Sequence, residues 1–322
     1  MNPMSPYRHQ QGFTLIELMI SLVLGLIISA AVMQVYLINA KTSSIQASAS
    51  EMQDASVFGI QQLERKLRLA NLGNPTTQID DKTVGGGIVL SAANVGTTPD
   101  KFSNGYLTRR DGDTKAGTNG WDGASNMTTN SDQLTIQYKN TTGAVISDCE
   151  GSNVQVNDQV VERYFIRMAT GSKTTGIRDL VLACDAGRIE PAGGIKEYDS
   201  DSDPRNFGQA GQELIVNADQ FKVLLGTQVT KGANTGAVTY MPSNAYLALS
   251  APKPAIVAVK VGLIVHGTTA VVGSTDQTKF TLLNQNNDLK TDTTRRSQVR
   301  NSYESTVLLR NARVVNVSTD LY

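Results

Sequence analysis

The chain has 322 residues, room for one large or two small domains. Its 29 Lys and Arg balance 29 Asp and Glu, so no global basic field argues for nucleic-acid binding, and no direct contact with DNA is predicted. Two histidines and two cysteines leave little material for histidine-based catalysis or a zinc site.

The N-terminus opens with a short polar stretch whose one unambiguous cation is Arg8, ending at Gly12. From about residue 15 to 37 the chain is then nearly all apolar, with Glu17 its only charge. At about 1.5 Å per residue, that run crosses a hydrocarbon core of roughly 30 Å. A cleaved secretory signal would have a shorter apolar core, about 7–15 residues, followed by a small-residue cleavage site. A plain transmembrane anchor fits the length but leaves Glu17 unexplained, since a carboxylate at a helix centre costs on the order of 2.5–3.5 kcal/mol.

Gly12-Phe13-Thr14-Leu15-Ile16-Glu17 resembles the class III signal of type IV prepilins. In that pattern a short basic leader ends in Gly, Phe follows, and Glu stands fifth after the cut. The resemblance implies a leader of residues 1–12, cleavage between Gly12 and Phe13 by a prepilin peptidase, and N-methylation of Phe13. It also gives Glu17 a partner, the Phe13 ammonium of a neighbouring subunit, which makes the carboxylate a docking residue.

Beyond the apolar run, Ile45, Ala49, Met52, Ile60, Leu63, Leu67 and Ala70 recur at helical spacing with polar residues between them. Asn71-Leu72-Gly73-Asn74-Pro75 supplies a stop. One helix over 13–72 is therefore expected, apolar all round in its first half and amphipathic in its second. Residues 73–322 form the remaining domain. The stretch 76–130 is rich in Gly, Thr, Asn and Asp, with one strand signal at Gly87-Ile88-Val89-Leu90. Gly85-Gly86-Gly87 lacks the Lys and Ser or Thr that end a phosphate loop and reads as a turn. Trp121, the only tryptophan, reads as a loop anchor.

Strands are expected at Leu134–Tyr138, Val160–Met168, Leu180–Cys184, Ile215–Leu225 with Gly226 closing it, Ile256–His266 and Ser305–Val317. No helices fall between them, which favours an antiparallel sheet. The fold class is α+β, with the amphipathic half of the helix covering one sheet face. Cys149 and Cys184 stand far apart in sequence. Delivery across the membrane would place both in an oxidising compartment and favour a disulfide, two buried thiols being the alternative.

Ala255-Ile256-Val257-Ala258-Val259-Lys260-Val261-Gly262-Leu263 and Ser305-Thr306-Val307-Leu308-Leu309-Arg310-Asn311 resemble the closing motifs of the PilW family of minor pilins. Arg295, Arg296 and Arg300 precede the second motif and otherwise read as solvated surface. The stretches 76–130 and 190–211 resemble no known pattern and read as insertions. The resemblance implies a structural protein rather than an enzyme, with no cofactor. It would be held single-pass in the inner membrane with its C-terminal domain periplasmic, and would then join the fibre tip at the cell surface. The implied partners are other minor pilins, the major pilin, the prepilin peptidase and a possible tip adhesin; twitching motility, adhesion or DNA uptake would follow from the fibre. A J-type minor pseudopilin of type II secretion and a membrane-anchored periplasmic binding module remain as alternatives.

Sites of other kinds find little support. His266 lies in a valine-rich strand and reads as structural. Gly171-Ser172-Lys173-Thr174 lacks the leading Gly of a phosphate loop, position 166 being Ile. Asp199, Asp201 and Asp203 alternate as calcium ligands can, but Pro204 and Ala210 stand where a calcium loop needs Gly and Glu, and the segment reads as a solvated acidic loop.

Overall fold

The structure, a computed structural model, describes residues 12–98, 101–110, 123–171, 179–200, 203, 205–229, 236–271, 277–291 and 297–312. The leader up to residue 11, Trp121, residues 172–174, Asp201, Arg295, Arg296 and residues 313–317 lie outside the described residues.

Helix α1 runs Leu15–Leu67. Every large apolar side chain from Leu15 to Ile38 is more than half exposed, and the helix is long and apolar enough here to cross a membrane. The second half buries Ser48, Met52, Ser56, Gly59, Leu63 and Leu67, spaced by three and four residues. Met52, Leu63 and Leu67 carry most of the apolar burial, about 1.5–3 kcal/mol each. Ile45 is exposed, and Ser48 and Ser56 take places on the seam where apolar residues are expected. Small residues suit the seam because the helix lies close to the sheets. A Cβ at Gly59 would fall 2.2 Å from Cγ1 of Ile215.

The helix ends five residues before the expected Leu72. Arg68 still donates its N–H to the Glu64 carbonyl, but the chain then tightens into turns, and Asn71 adopts the left-handed region at φ 66°. The Asn71 amide donates to the carbonyls of Thr76 (2.9 Å) and Asn311 (2.7 Å), while its Oδ1 accepts the Gly87 N–H at 3.1 Å. Segment 87–90 forms no strand of its own; Ile88 makes an isolated bridge to Ile136.

The strands are β1 (Leu134–Lys139), β2 (Ile146–Ser147), β3 (Asn153–Val154), β4 (Gln159–Met168), β5 (Leu180–Ile189), β6 (Gln212–Val216), β7 (Ala218–Gln228), β8 (Val238–Met241), β9 (Ile256–Ala270), β10 (Lys279–Leu282), β11 (Gln285–Asp288) and β12 (Gln298–Leu308). They build two four-stranded antiparallel sheets, β1-β4-β5-β6 and β12-β9-β7-β8, with hairpins β2-β3 and β10-β11 beside them. The second half of α1 lies over β9, β12 and β6, so it touches both sheets. Val259, Val261, Leu263 and Val265 of β9 join the core beneath it, and Ile264 on the other face packs under β10-β11.

Several strands differ from expectation, and in place of Ser305–Val317 the last described strand runs Gln298–Leu308, after which the chain turns at Arg310 and Asn311 towards the end of α1. The expected single strand Ile215–Leu225 is two, because Asn217 turns left-handed at φ 55° and carries the chain from the edge of the first sheet into the second. Gly226 does not close β7; it lies inside it, where a Cβ would come 2.8 Å from Cβ of Ala258. β5 continues past Cys184 to Ile189, since Asp185 and Arg188 are buried on ionic partners instead of marking a solvated end.

Candidate functional site

At the start of α1, Thr14 is the N-cap residue with extended backbone, φ −79° and ψ 151°. Its Oγ1 accepts the Glu17 N–H at 3.3 Å, while Glu17 Oε2 lies 3.5 Å from the Thr14 nitrogen and 3.4 Å from its hydroxyl. This is a reciprocal capping box, in which two unpaired N–H groups of the first turn are satisfied by side chains. Glu17 therefore stands in the first turn and not at the helix centre, which lowers the cost assigned to it as part of a plain anchor. The carboxylate also complements the positive end of the helix dipole. Thr14-x-x-Glu17 is a capping signature readable in the sequence, and Thr14 is the residue that the prepilin pattern leaves out. Phe13 is 86% exposed beside it. An exposed carboxylate four residues from the Gly12–Phe13 bond can receive an ammonium presented by another chain.

Lower down, Cys149 and Cys184 form a disulfide, their Cα atoms 6.2 Å apart. Beside it Glu162 is fully buried, its carboxylate accepting from Tyr164 hydroxyl (2.6 Å), Tyr138 hydroxyl (2.8 Å) and the Cys149 N–H (3.0 Å). Lys66 of α1 reaches within 3.8 Å of the same carboxylate and donates to the Ser147 carbonyl. Burial nonetheless keeps the Glu162 carboxyl above its ordinary range. Cys149, Glu162 and Cys184 lie close enough to hold a metal, but both sulfurs are used in the disulfide.

Burial also pushes the neighbouring Glu150 up to about 8, against the Ala186 N–H that its carboxylate accepts at 2.9 Å. A folded-state value above the unfolded one means that the folded chain holds this proton more tightly. The stability this contributes is fully present below the unfolded value near 4.5 and is lost as pH rises towards about 8. Glu150→Gln keeps the acceptor and removes the charge. Thermal unfolding followed by circular dichroism is expected to give the variant a higher midpoint than the parent at pH 8.5 and an equal one at pH 4. An equal difference at both pH values would count against this assignment.

A second polar centre lies within the second sheet, across β7, β9 and β12. Asp219 is wholly buried, with Arg300 Nε at 2.9 Å, His266 Nδ1 at 3.1 Å and the Asn126 amide at 2.6 Å. Burial alone would raise the Asp219 carboxyl, but His266, Arg300 and Asn126 together hold it below its ordinary range. His266 is thus structural, as expected. Arg300 is not solvated surface; it is an internal ion-pair partner. Of the alternating aspartates, Asp199 is exposed, and Asp203 is occupied by Arg205 at 2.9 and 2.5 Å. Those Arg205 hydrogen bonds pull Asp203 down to about 2.

The closing motif ends against the stem. Leu309 is buried and donates its N–H to the Val257 carbonyl at 2.9 Å. The Asn311 amide donates to the carbonyls of Arg68 and Ala70, each at 3.2 Å, just past the helix end. With the Asn71 bond to the Asn311 carbonyl, this makes a two-way clasp between the first element and the last described turn.

Residues 7–33 match the family model of the prokaryotic N-terminal methylation motif, and residues 196–311 match that of the type IV pilus-assembly protein W, PilW. The two matches together support a PilW-family minor pilin. Both closing motifs fall inside the PilW match, which begins at residue 196, so most of the supposed insertion 190–211 belongs to the family's own pattern. Among solved structures, a type IV-like pilin from Thermus thermophilus aligns at 12% identity with a TM-score of 0.36, over 80% of this chain and 95% of that one. No match was found among curated proteins. The architecture is α+β, a long N-terminal helix followed by antiparallel sheets. The PilW match supports a minor pilin of pilus assembly. The methylation motif and the apolar helix fit membrane anchoring.

Proposed function

We propose that this PilW-family pilin takes part in initiating type IV pilus assembly and ends at the fibre tip. Its leader, residues 1–12, is cut from Phe13 on the cytoplasmic side of the inner membrane, and Phe13 is then N-methylated. Residues 73–322 face the periplasm until the subunit joins other minor pilins and the major pilin. Twitching motility, adhesion or DNA uptake follow from the fibre so primed. The observation that carries this reading is the exposed apolar half of α1 with Glu17 at its start, continuous with a half that is packed firmly on the sheets. Capping gives Glu17 a use in any such helix; an assembling subunit gives its exposed carboxylate a second one, the ammonium of a neighbour's Phe13.

Glu17→Leu tests it. The variant is expected to insert and to be cleaved normally, with intact mass showing a chain that begins at methylated Phe13. Its co-purification with partner pilins and the number of surface fibres should fall clearly below parental levels, though not to zero, since apolar contact between stems persists. Parental levels of both would remove Glu17 from docking, and Met1 retained in the parent chain would remove the pilin processing.

A further inference from the structure

The upper half of the stem carries a second stripe, off the face that meets the sheets. Phe58, Gln62, Arg65 and Leu69 stand four, three and four residues apart, so they line up along α1 and the turn that follows it. Phe58 is 68% exposed, well above Ile45 at 38% and Val57 at 42%. At its top the stripe becomes one wall of a groove of about 630 Å³, and the β2-β3 hairpin, with Ile146, is the other. Leu69 and Ile146 give this groove an apolar floor and pack onto Tyr138 and Val160 beneath.

Its charges are nearly settled from within. Asp148 is buried with Arg188 at 2.9 Å, and Lys66 lies 3.8 Å from Glu162. Arg65 is left over. It is exposed, its Nε donates to the Gln61 carbonyl at 3.3 Å, and among the described residues no carboxylate pairs with it. An exposed aromatic ring, an apolar floor and one unanswered guanidinium between them suit a protein segment that presents an apolar side chain and a carboxylate. Lipid is out of reach, because Phe58 stands 20 residues beyond Ile38, about 30 Å along a straight helix. A nucleic acid would need a track of cations, and the groove offers a single free one. A second copy of this chain is poorly matched. Glu51, fourteen residues below Arg65 on the same stripe, is already bonded to Thr268 and Thr269 of its own β9. We infer that this stripe and groove dock a different pilin subunit, through a carboxylate set against Arg65 and an apolar side chain seated on Leu69 and Ile146. The inference rests on the assembly role proposed above and adds where on the folded domain a neighbour is held.

Photo-cross-linking in intact cells tests it, with p-benzoylphenylalanine placed at position 62 of the full chain. The same residue at position 23, in the exposed apolar half, reports stem contacts by themselves. An adduct with another pilin is expected at both positions, and the peptide joined to position 62 should contain Asp or Glu. Arg65→Glu should cut the position-62 adduct at least about fivefold, Arg65→Lys should keep most of it, and both should leave the adduct at position 23 in place. Changing the partner's acid to Lys should restore the adduct of Arg65→Glu, which a folding defect would not allow. The inference is overturned if position 62 gives no adduct while position 23 does, a result that leaves the assembly role standing; if neither gives one, both fall. It is overturned too by a position-62 adduct with a second copy of this chain, with lipid or with a protein other than a pilin, or by one indifferent to Arg65→Glu.

Discussion

Replacing Arg163 by methionine is expected to cost about 3–5 kcal/mol, the largest loss from any single change at the described polar centres. The guanidinium and the Asp185 carboxylate are both wholly buried, 2.8 Å apart. The Arg163 guanidinium also donates to the Gln209 carbonyl at 2.9 Å and lies 4.1 Å over the Phe165 ring, with Tyr106 and Phe207 at 5.3 and 5.6 Å. It therefore fastens the segment around Phe207 to β4. Methionine fills part of the space but leaves Asp185 without its cation. Burial already holds that carboxyl above its ordinary range, and the N–H groups of Gly208 and Gln209 would remain to it. Thermal unfolding in detergent should show a midpoint lowered by on the order of 10 °C. Adding Asp185→Leu is expected to recover part of the loss, because the expensive species is the orphaned charge and not the absent pair. A double variant less stable than Arg163→Met would refute that account.

The disulfide gives the second large effect. It joins residues 35 apart, so its removal frees a loop worth roughly 3–4 kcal/mol in the chain-entropy view. Cys149→Ser with Cys184→Ser should lower the unfolding midpoint by about 6–15 °C, and reduction of the parent should give a similar fall. Cys149 also presents its N–H to Glu162, so loosening it disturbs a carboxylate that Lys66 of α1 approaches. The loss should accordingly be seen in the stem-to-sheet contact, as faster amide exchange around residues 60–67. Unchanged midpoint and exchange would show that the fold holds without the cross-link.

Much of this architecture is legible in the residues, and the illegible parts share a cause. The stem can be read because its two halves differ in how apolar residues repeat. β1 and β9 can be read because alternation there is clean. What alternation cannot report is a charged side chain buried on a partner distant in sequence. Asp185 and Arg188 look like the end of β5, and Arg300 looks like surface, until Arg163, Asp148 and Asp219 are brought to them. The change of sheet at Asn217 is hidden for another reason. The apolar pattern runs on across it, and the switch resides in one backbone torsion. At the N-terminus the processing pattern is plain, and the capping role of Thr14 follows from its standing three residues before Glu17 at the start of an apolar run. Leu309-Arg310-Asn311 marks the family without disclosing why an Asn should stand there.

That Asn has a mechanical meaning. If the chain joins a fibre as proposed above, it is pulled along its stem while its head is held elsewhere. Force entering α1 from below runs up the helix and leaves it at Arg68 and Ala70, the carbonyls that Asn311 grips. Strand β12 leads away from that grip and is laddered along β9, so the pull is spread over a row of bonds loaded in shear instead of peeling them one by one. The end of the stem and the last described turn thus close one circuit for stress, and the head could be drawn by its stem without the core strands between them being unravelled.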